Sequence, residues 1–132
     1  MSNDHLPTVD VREAARRLDA TITPPDAPAP LLVDVREESE FVALRVPGAI
    51  LLPISRFTQG MAALPTDRPL LMLCKVGGRS ASATEYLLRS GYPDVANVAG
   101  GIVAWHAAGL PTLTGPVGHG EGGLPTSGSD AA

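Results

Sequence analysis

Leu70-Leu-Met-Leu-Cys74-Lys-Val-Gly-Gly-Arg79-Ser80 is the stretch on which the reading of this chain turns. An apolar run that stops abruptly at a polar loop predicts a buried parallel strand whose C-terminal end delivers Cys74. Open α/β sheets bind their ligands at that end. Gly77 and Gly78 let the backbone double back, so several N–H groups converge above the sulfur beside the start of a following helix. The stretch reads as an anion cradle built around a thiol.

A thiol attacks well near neutral pH only where the thiolate is favoured by positive charge or by aligned N–H donors. Lys75 and Arg79 bring positive charge to this loop, and Arg79 has the planar fork that grips an anion through two parallel hydrogen bonds. Inert core packing is the bland alternative, since free cysteine is among the most buried residue types. A strand end followed by Lys-Val-Gly-Gly-Arg-Ser is a poor place to hide a thiol.

Outside this stretch the limits are broad. The 132 residues and 13.6 kDa suit one domain. A formal net charge of -4 offers no general attraction to nucleic acid or anionic membranes, so no partner of either kind is expected. No apolar run approaches the roughly 18 residues that cross a bilayer. Met1-Ser-Asn-Asp-His-Leu-Pro7 lacks the basic and apolar parts of a secretion signal, so a cytoplasmic location is expected. One cysteine excludes an internal disulfide, and with three scattered histidines it shows no zinc spacing, so no metal site is expected.

Taken in order, residues 1–7 are expected to form a loose arm, residues 8–114 the domain, and residues 115–132 a disordered Gly/Ser/Pro-rich tail. Thr8-Val9 suggests a brief strand. Asp10 and Glu13 have N-cap spacing before a helix over Val11 to Leu18. A proline-rich surface loop over Thr23 to Pro30 leads into Leu31-Leu-Val-Asp34-Val-Arg36, a strand that ends in charge near the Cys74 loop. Glu37 to Phe41 reads as a short acidic helical turn, with Glu37, Glu38 and Glu40 as a solvated face. Ala49 to Leu52 is a short strand, and Ser55 to Leu64 a helix weakened by Gly60. Ser82 and Glu85 are spaced as a capping box ahead of a helix stopped by Gly91 and Pro93. Val95 to Val98 is a last strand, followed by a helix opened by Gly100-Gly101 and carrying Ile102 and Trp105. Alternating strands and helices argue for an α/β fold, a mostly parallel sheet covered on both faces.

Five blocks in order and spacing resemble the single-domain rhodanese family: Asp34-Val-Arg36-Glu37, Val46-Pro-Gly-Ala49, Cys74-Lys-Val-Gly-Gly-Arg79-Ser80, Gly91-Tyr92, and Asn97-Val-Ala-Gly100-Gly101-Ile-Val-Ala-Trp105. The resemblance covers about residues 8–112 and implies a rhodanese-like fold of about five parallel strands with helices on both faces. It further implies a sulfurtransferase working through a persulfide on Cys74, regenerated without a cofactor. The donor would be a small sulfur-containing anion such as thiosulfate, and the acceptor cyanide, a thiol or a protein. Lys75, Val76, Gly77, Gly78, Arg79 and Ser80 would line the anion-binding loop, with Lys75 and Val76 at its entrance. Asp34 and Arg36 read as supporting residues, a charge pair that braces the loop. Ser80 and Ser82 read as helix caps, Trp105 as core, and His5, His106 and His119 as surface.

Phosphate-ester hydrolases of similar pattern carry one more residue between cysteine and arginine; here four residues separate Cys74 from Arg79. The tighter ring suits a sulfur atom and disfavours phosphatase chemistry; arsenate reduction or phosphate-ester hydrolysis on the same anion cradle is the less favoured alternative. A sulfur-carrier or interaction module with a protein partner is the other alternative. In one departure, Leu44-Arg45-Val-Pro-Gly-Ala49 has arginine where many relatives have histidine, a change that bears on local packing and entrance electrostatics.

Overall fold

Short apolar runs separated by helices leave the three inner strands buried on both faces, and a parallel sheet is the arrangement that satisfies them. The computed structural model describes residues 6–124, so the beginning of the expected arm, with His5, and the end of the expected tail lie outside the described residues. Strands β1 (Thr8–Val9), β2 (Leu31–Asp34), β3 (Ile50–Leu51), β4 (Leu70–Leu73) and β5 (Val95–Val98) form one sheet. Its order is β1-β5-β4-β2-β3, with every pairing parallel. Helices α1 (Val11–Leu18), α2 (Glu38–Ala43), α3 (Phe57–Gly60), α4 (Gly78–Arg89) and α5 (Gly101–Ala107) cover it.

Alternation along β4 divides the core in two. Leu70, Met72 and then Cys74 pack on the face that carries Phe57 of α3 and Ala83 and Leu87 of α4. Leu71 and Leu73 pack on the opposite face, against Val11 and Ala14 of α1, Phe41 of α2, and Ile102 and Trp105 of α5. Cys74 therefore continues the pleat of the central strand, and only its position at the strand end separates it from ordinary core.

The same division creates the crevice. From β2 the chain turns into α2 on one face, whereas from the adjacent β4 it turns into α4 on the other. Neighbouring parallel strands whose connections leave for opposite faces splay apart at their C-terminal ends, the position at which such sheets take ligands.

Several elements differ from their sequence expectation. The helix expected over Ser55 to Leu64 is a 3-10 turn (Ile54–Arg56), one α turn (α3) and another 3-10 turn (Met61–Ala63). Gly60 sits so close to Leu52 that a Cβ there would meet its Cδ1 at 2.5 Å, so packing adds to the poor helix propensity of glycine. The strand over Ala49 to Leu52 shortens to Ile50–Leu51. Helix α4 begins already at Gly78, with Gly77 at φ 112° as its N-cap, so Ser82 and Glu85 ride inside the helix rather than capping it.

Residues 115–124, expected to be part of a disordered tail, fold back on the domain. Leu113 pairs with Arg45 in an antiparallel bridge, the Gly115 N–H donates to the Val42 carbonyl at 2.9 Å, and the Leu51 N–H donates to the Gly122 carbonyl at 2.8 Å. Arg45 is the anchor. Its side chain is 4% exposed, and its guanidinium donates to the carbonyls of Gly115 at 2.7 Å and Pro116 at 3.2 Å and pairs with Glu121. A buried arginine needs such partners, and composition alone did not reveal that this segment supplies them.

One close approach holds the site in register. Gly101 lies at φ 59°, and a Cβ there would stand 2.3 Å from the Lys75 carbonyl oxygen and 2.4 Å from that of Cys74. Because both obstacles are backbone, neither can rotate away. Gly101→Ala is expected to destabilise the protein by roughly 2–4 kcal/mol in urea unfolding, through left-handed strain and the separation of α5 from the loop.

Candidate active site

The loop after β4 encloses the thiol from the α4 side. The Gly77 N–H donates to Cys74 Sγ at 3.0 Å, and the Ser80 hydroxyl donates to it at 3.2 Å. Gly77 makes the turn possible with its left-handed φ of 112°. Gly78 is simply the first residue of α4, with open space where a Cβ would lie. Ser80 is wholly buried in the first turn of α4, and its hydroxyl serves the sulfur rather than capping the helix.

Cys74 is only 1% exposed, and this burial, the largest influence on it, pushes the thiol pKa up. The Ser80 hydroxyl and the backbone N–H groups of Ser80, Gly77 and Val76 act the other way. Together they hold Cys74 below its ordinary value. Hydrogen bonds to the charged form outweigh desolvation, which is the condition for a nucleophilic rather than an inert buried cysteine.

Behind the loop, its carbonyls are taken up elsewhere. The Ile102 N–H donates to the Cys74 carbonyl at 2.9 Å and the Val103 N–H to the Lys75 carbonyl at 3.1 Å. Asn97 Nδ2 donates to the Gly77 carbonyl at 3.3 Å from β5. Asn97 and Gly101 fall within a family block, yet neither residue type signals that it will meet a loop so far away in sequence.

Arg79 does not stand free. It donates through both terminal nitrogens to Glu40 of α2, at 2.9 and 3.0 Å. Glu40 is therefore a site-proximal partner and not part of a solvated face; Glu38 remains exposed, and Glu37 accepts from the Ser55 hydroxyl at 2.8 Å. Hydrogen bonds from Arg79 hold the Glu40 carboxyl down at about 2. The Arg79 guanidinium is raised above its ordinary value, first by Glu40, with charge attraction from Cys74 and Asp34 contributing. Lys75 and Val76 are exposed beside the thiol, Val76 by 64%.

Asp34 and Arg36 form a buried bidentate pair, with Arg36 Nη2 2.8 Å from Asp34 Oδ2. Arg36 also donates to the carbonyls of Glu40 at 3.2 Å and Leu44 at 2.6 Å. These bonds run to α2, so the pair braces the helix that carries Glu40 and not the Cys74 loop itself. Trp105 is core, with its indole N–H donating to the Pro111 carbonyl at 2.8 Å, and His106 and His119 are exposed. Among the described residues no group of three or more metal-ligating side chains converges, and no helix is long and apolar enough to cross a membrane.

The donor balance at sulfur is open to test. The rate of Cys74 alkylation by iodoacetamide should rise with pH to a midpoint below that of an ordinary thiol. Ser80→Ala removes one donor to the thiolate and should move that midpoint upward, with alkylation near neutral pH slowed on the order of tenfold.

Comparison with known proteins agrees with this arrangement. A family model for the Rhodanese-like domain matches residues 16–108, which take in β2, β4, the loop, α4 and β5. A sulfurtransferase of Allochromatium vinosum is 40% identical over 83 residues, covering 63% of this chain and 78% of that protein. Thiosulfate sulfurtransferase GlpE of Vibrio cholerae is 36% identical over 80 residues, covering 61% of this chain and 76% of that protein. The crystal structure of a rhodanese-related protein from Thermoplasma volcanium matches with a TM-score of 0.71 at 26% identity, over 81% of this chain and 97% of that one. Fold, loop and sequence relatives thus agree, and the chain belongs to the rhodanese-like domain family.

Proposed function

We propose that the protein is a sulfurtransferase that carries sulfane sulfur as a persulfide on Cys74. The observation that carries this reading is the sulfur itself: a buried thiol whose pKa is nevertheless held down by hydrogen bonds from Gly77 and Ser80. Its donors are fixed in place before any substrate arrives, so stabilising an anionic sulfur there needs little reorganisation.

With thiosulfate as donor, Sγ attacks the outer sulfur and forms the new S–S bond. The old S–S bond breaks, and its electron pair leaves with sulfite. The enzyme is left with a persulfide anion in the same cradle. Cyanide or a thiolate then attacks that outer sulfur, giving thiocyanate or a new persulfide and returning the Cys74 thiolate. Loop N–H groups serve the thiolate and the persulfide alike, and exposed Lys75 offers its charge to the departing oxyanion.

Phosphatase and arsenate reductase chemistry fit less well. Four residues separate Cys74 from Arg79, and the guanidinium that a phosphoryl group would need is engaged by Glu40. Delivery of sulfur to a protein acceptor is the second reading, favoured by the exposed apolar side chain of Val76, 64% exposed two residues after the thiol.

Incubation with thiosulfate should add the mass of one sulfur to Cys74, and cyanide should then remove it as thiocyanate. Cys74→Ser should abolish both while the circular dichroism spectrum is retained, because the hydroxyl is close in size but far less acidic. Failure of every sulfane donor to load the folded protein would overturn the proposal, as would arsenate or phosphate-ester turnover comparable to sulfur transfer.

A further inference from the structure

The crevice between the ends of β2 and β4 is bridged by an ion pair drawn from its two sides. Arg79 comes from the first turn of α4 and Glu40 from α2, and both terminal nitrogens of the guanidinium are committed to the carboxylate. The two side chains are 34% and 30% exposed, so solutes that enter the crevice reach the pair. Glu40 is also tied down within α2, where its Oε2 accepts from the Glu37 N–H at 3.0 Å. Arg36 in turn holds α2 through the Glu40 and Leu44 carbonyls. The carboxylate is thus a fixed negative charge beside the loop.

Formal charges around the ionised thiol sum to zero: Lys75, Arg79 and Arg36 are positive, Glu40, Asp34 and the Cys74 thiolate negative. A dianionic donor entering here is repelled by Glu40. It recruits Arg79 only by displacing a bidentate partner already in place. A donor of lower charge meets less of this opposition, since the Coulomb term scales with the charge brought in. We propose that Glu40 is a positioning residue that sets the donor's charge: by holding Arg79 it turns the site toward sulfane donors of low charge, organic persulfides and thiosulfonates, and away from dianionic thiosulfate.

This inference rests on the sulfurtransferase reading. The transfer balances in the same way as with thiosulfate: Sγ bonds to the outer sulfur, the donor's S–S bond breaks, and the electron pair leaves as the organic thiolate from R–S–S⁻ or as the sulfinate from a thiosulfonate.

Glu40→Gln removes the charge and retains an oxygen to accept from the Glu37 N–H. In this variant the KM for thiosulfate should fall on the order of fivefold, with kcat within about twofold of wild type. The KM for methanethiosulfonate, a monoanion, should fall clearly less. A second readout needs no sulfur transfer: the ratio of Cys74 alkylation rates with anionic iodoacetate and neutral iodoacetamide should rise in Glu40→Gln. In Glu38→Gln, which alters an exposed carboxylate on the same helix, that ratio should stay still.

Equal effects on both donors, or a loss confined to kcat, would reduce Glu40 to a structural support and overturn the inference. A ratio that does not move would overturn the charge control even if sulfur transfer is confirmed. A ratio that rises while no donor loads sulfur onto Cys74 would overturn the sulfurtransferase reading, and the donor preference with it.

Discussion

Everything at the site depends on how the peptide units of the loop are turned. In a trans peptide the carbonyl and the following N–H point in opposite directions. The first N–H groups of α5 take the Cys74 and Lys75 carbonyls, and so direct the N–H groups of Lys75 and Val76 away from that helix. Val76 N–H is among the groups that stabilise the thiolate. Asn97, at the end of β5, takes the Gly77 carbonyl from the same side. The Val76 donor is thus a consequence of where the Lys75 carbonyl is held, and Gly101 is the residue that lets α5 come close enough to hold it.

A second balance operates at the sulfur. The alternation of β4 buries Cys74 with Met72 and Leu70, which by itself would favour the neutral thiol. Hydrogen bonds from the loop and from Ser80 reverse the outcome. Burial then works in favour of chemistry, because donors aligned on an anion in a water-poor site act more strongly than the same groups in solvent. Across the crevice, the Asp34–Arg36 pair secures α2, and α2 presents Glu40 to Arg79. Charge at the entrance is therefore set by an element on the opposite face of the sheet from α4.

Local features were legible in the sequence, and contacts between distant segments were not. Asp10 announces α1 because an N-cap is a short-range device, and its Oδ1 does accept from the Glu13 N–H at 2.8 Å. The run Leu70 to Leu73 reads correctly because a strand buried on both faces has no polar position to hide. Glu40 looked like solvated charge because nothing within its own helix shows that Arg79, 39 positions away, will meet it. Arg45 stood out as a departure, yet its partner Glu121 lies 76 positions on, inside a Gly/Pro-rich segment whose composition suggested disorder. Ser80 reads in the sequence as a loop residue that caps a helix, whereas the early start of α4 turns its hydroxyl to the sulfur.

The central claim is that the folded loop makes Cys74 more acidic in spite of its burial. Titration of the ultraviolet thiolate absorbance in the native protein, and again in urea, tests it directly, because Cys74 is the only cysteine in the chain. The native midpoint should lie below the unfolded one. A native midpoint at or above the unfolded value would mean that desolvation wins at the sulfur, and would contradict the account.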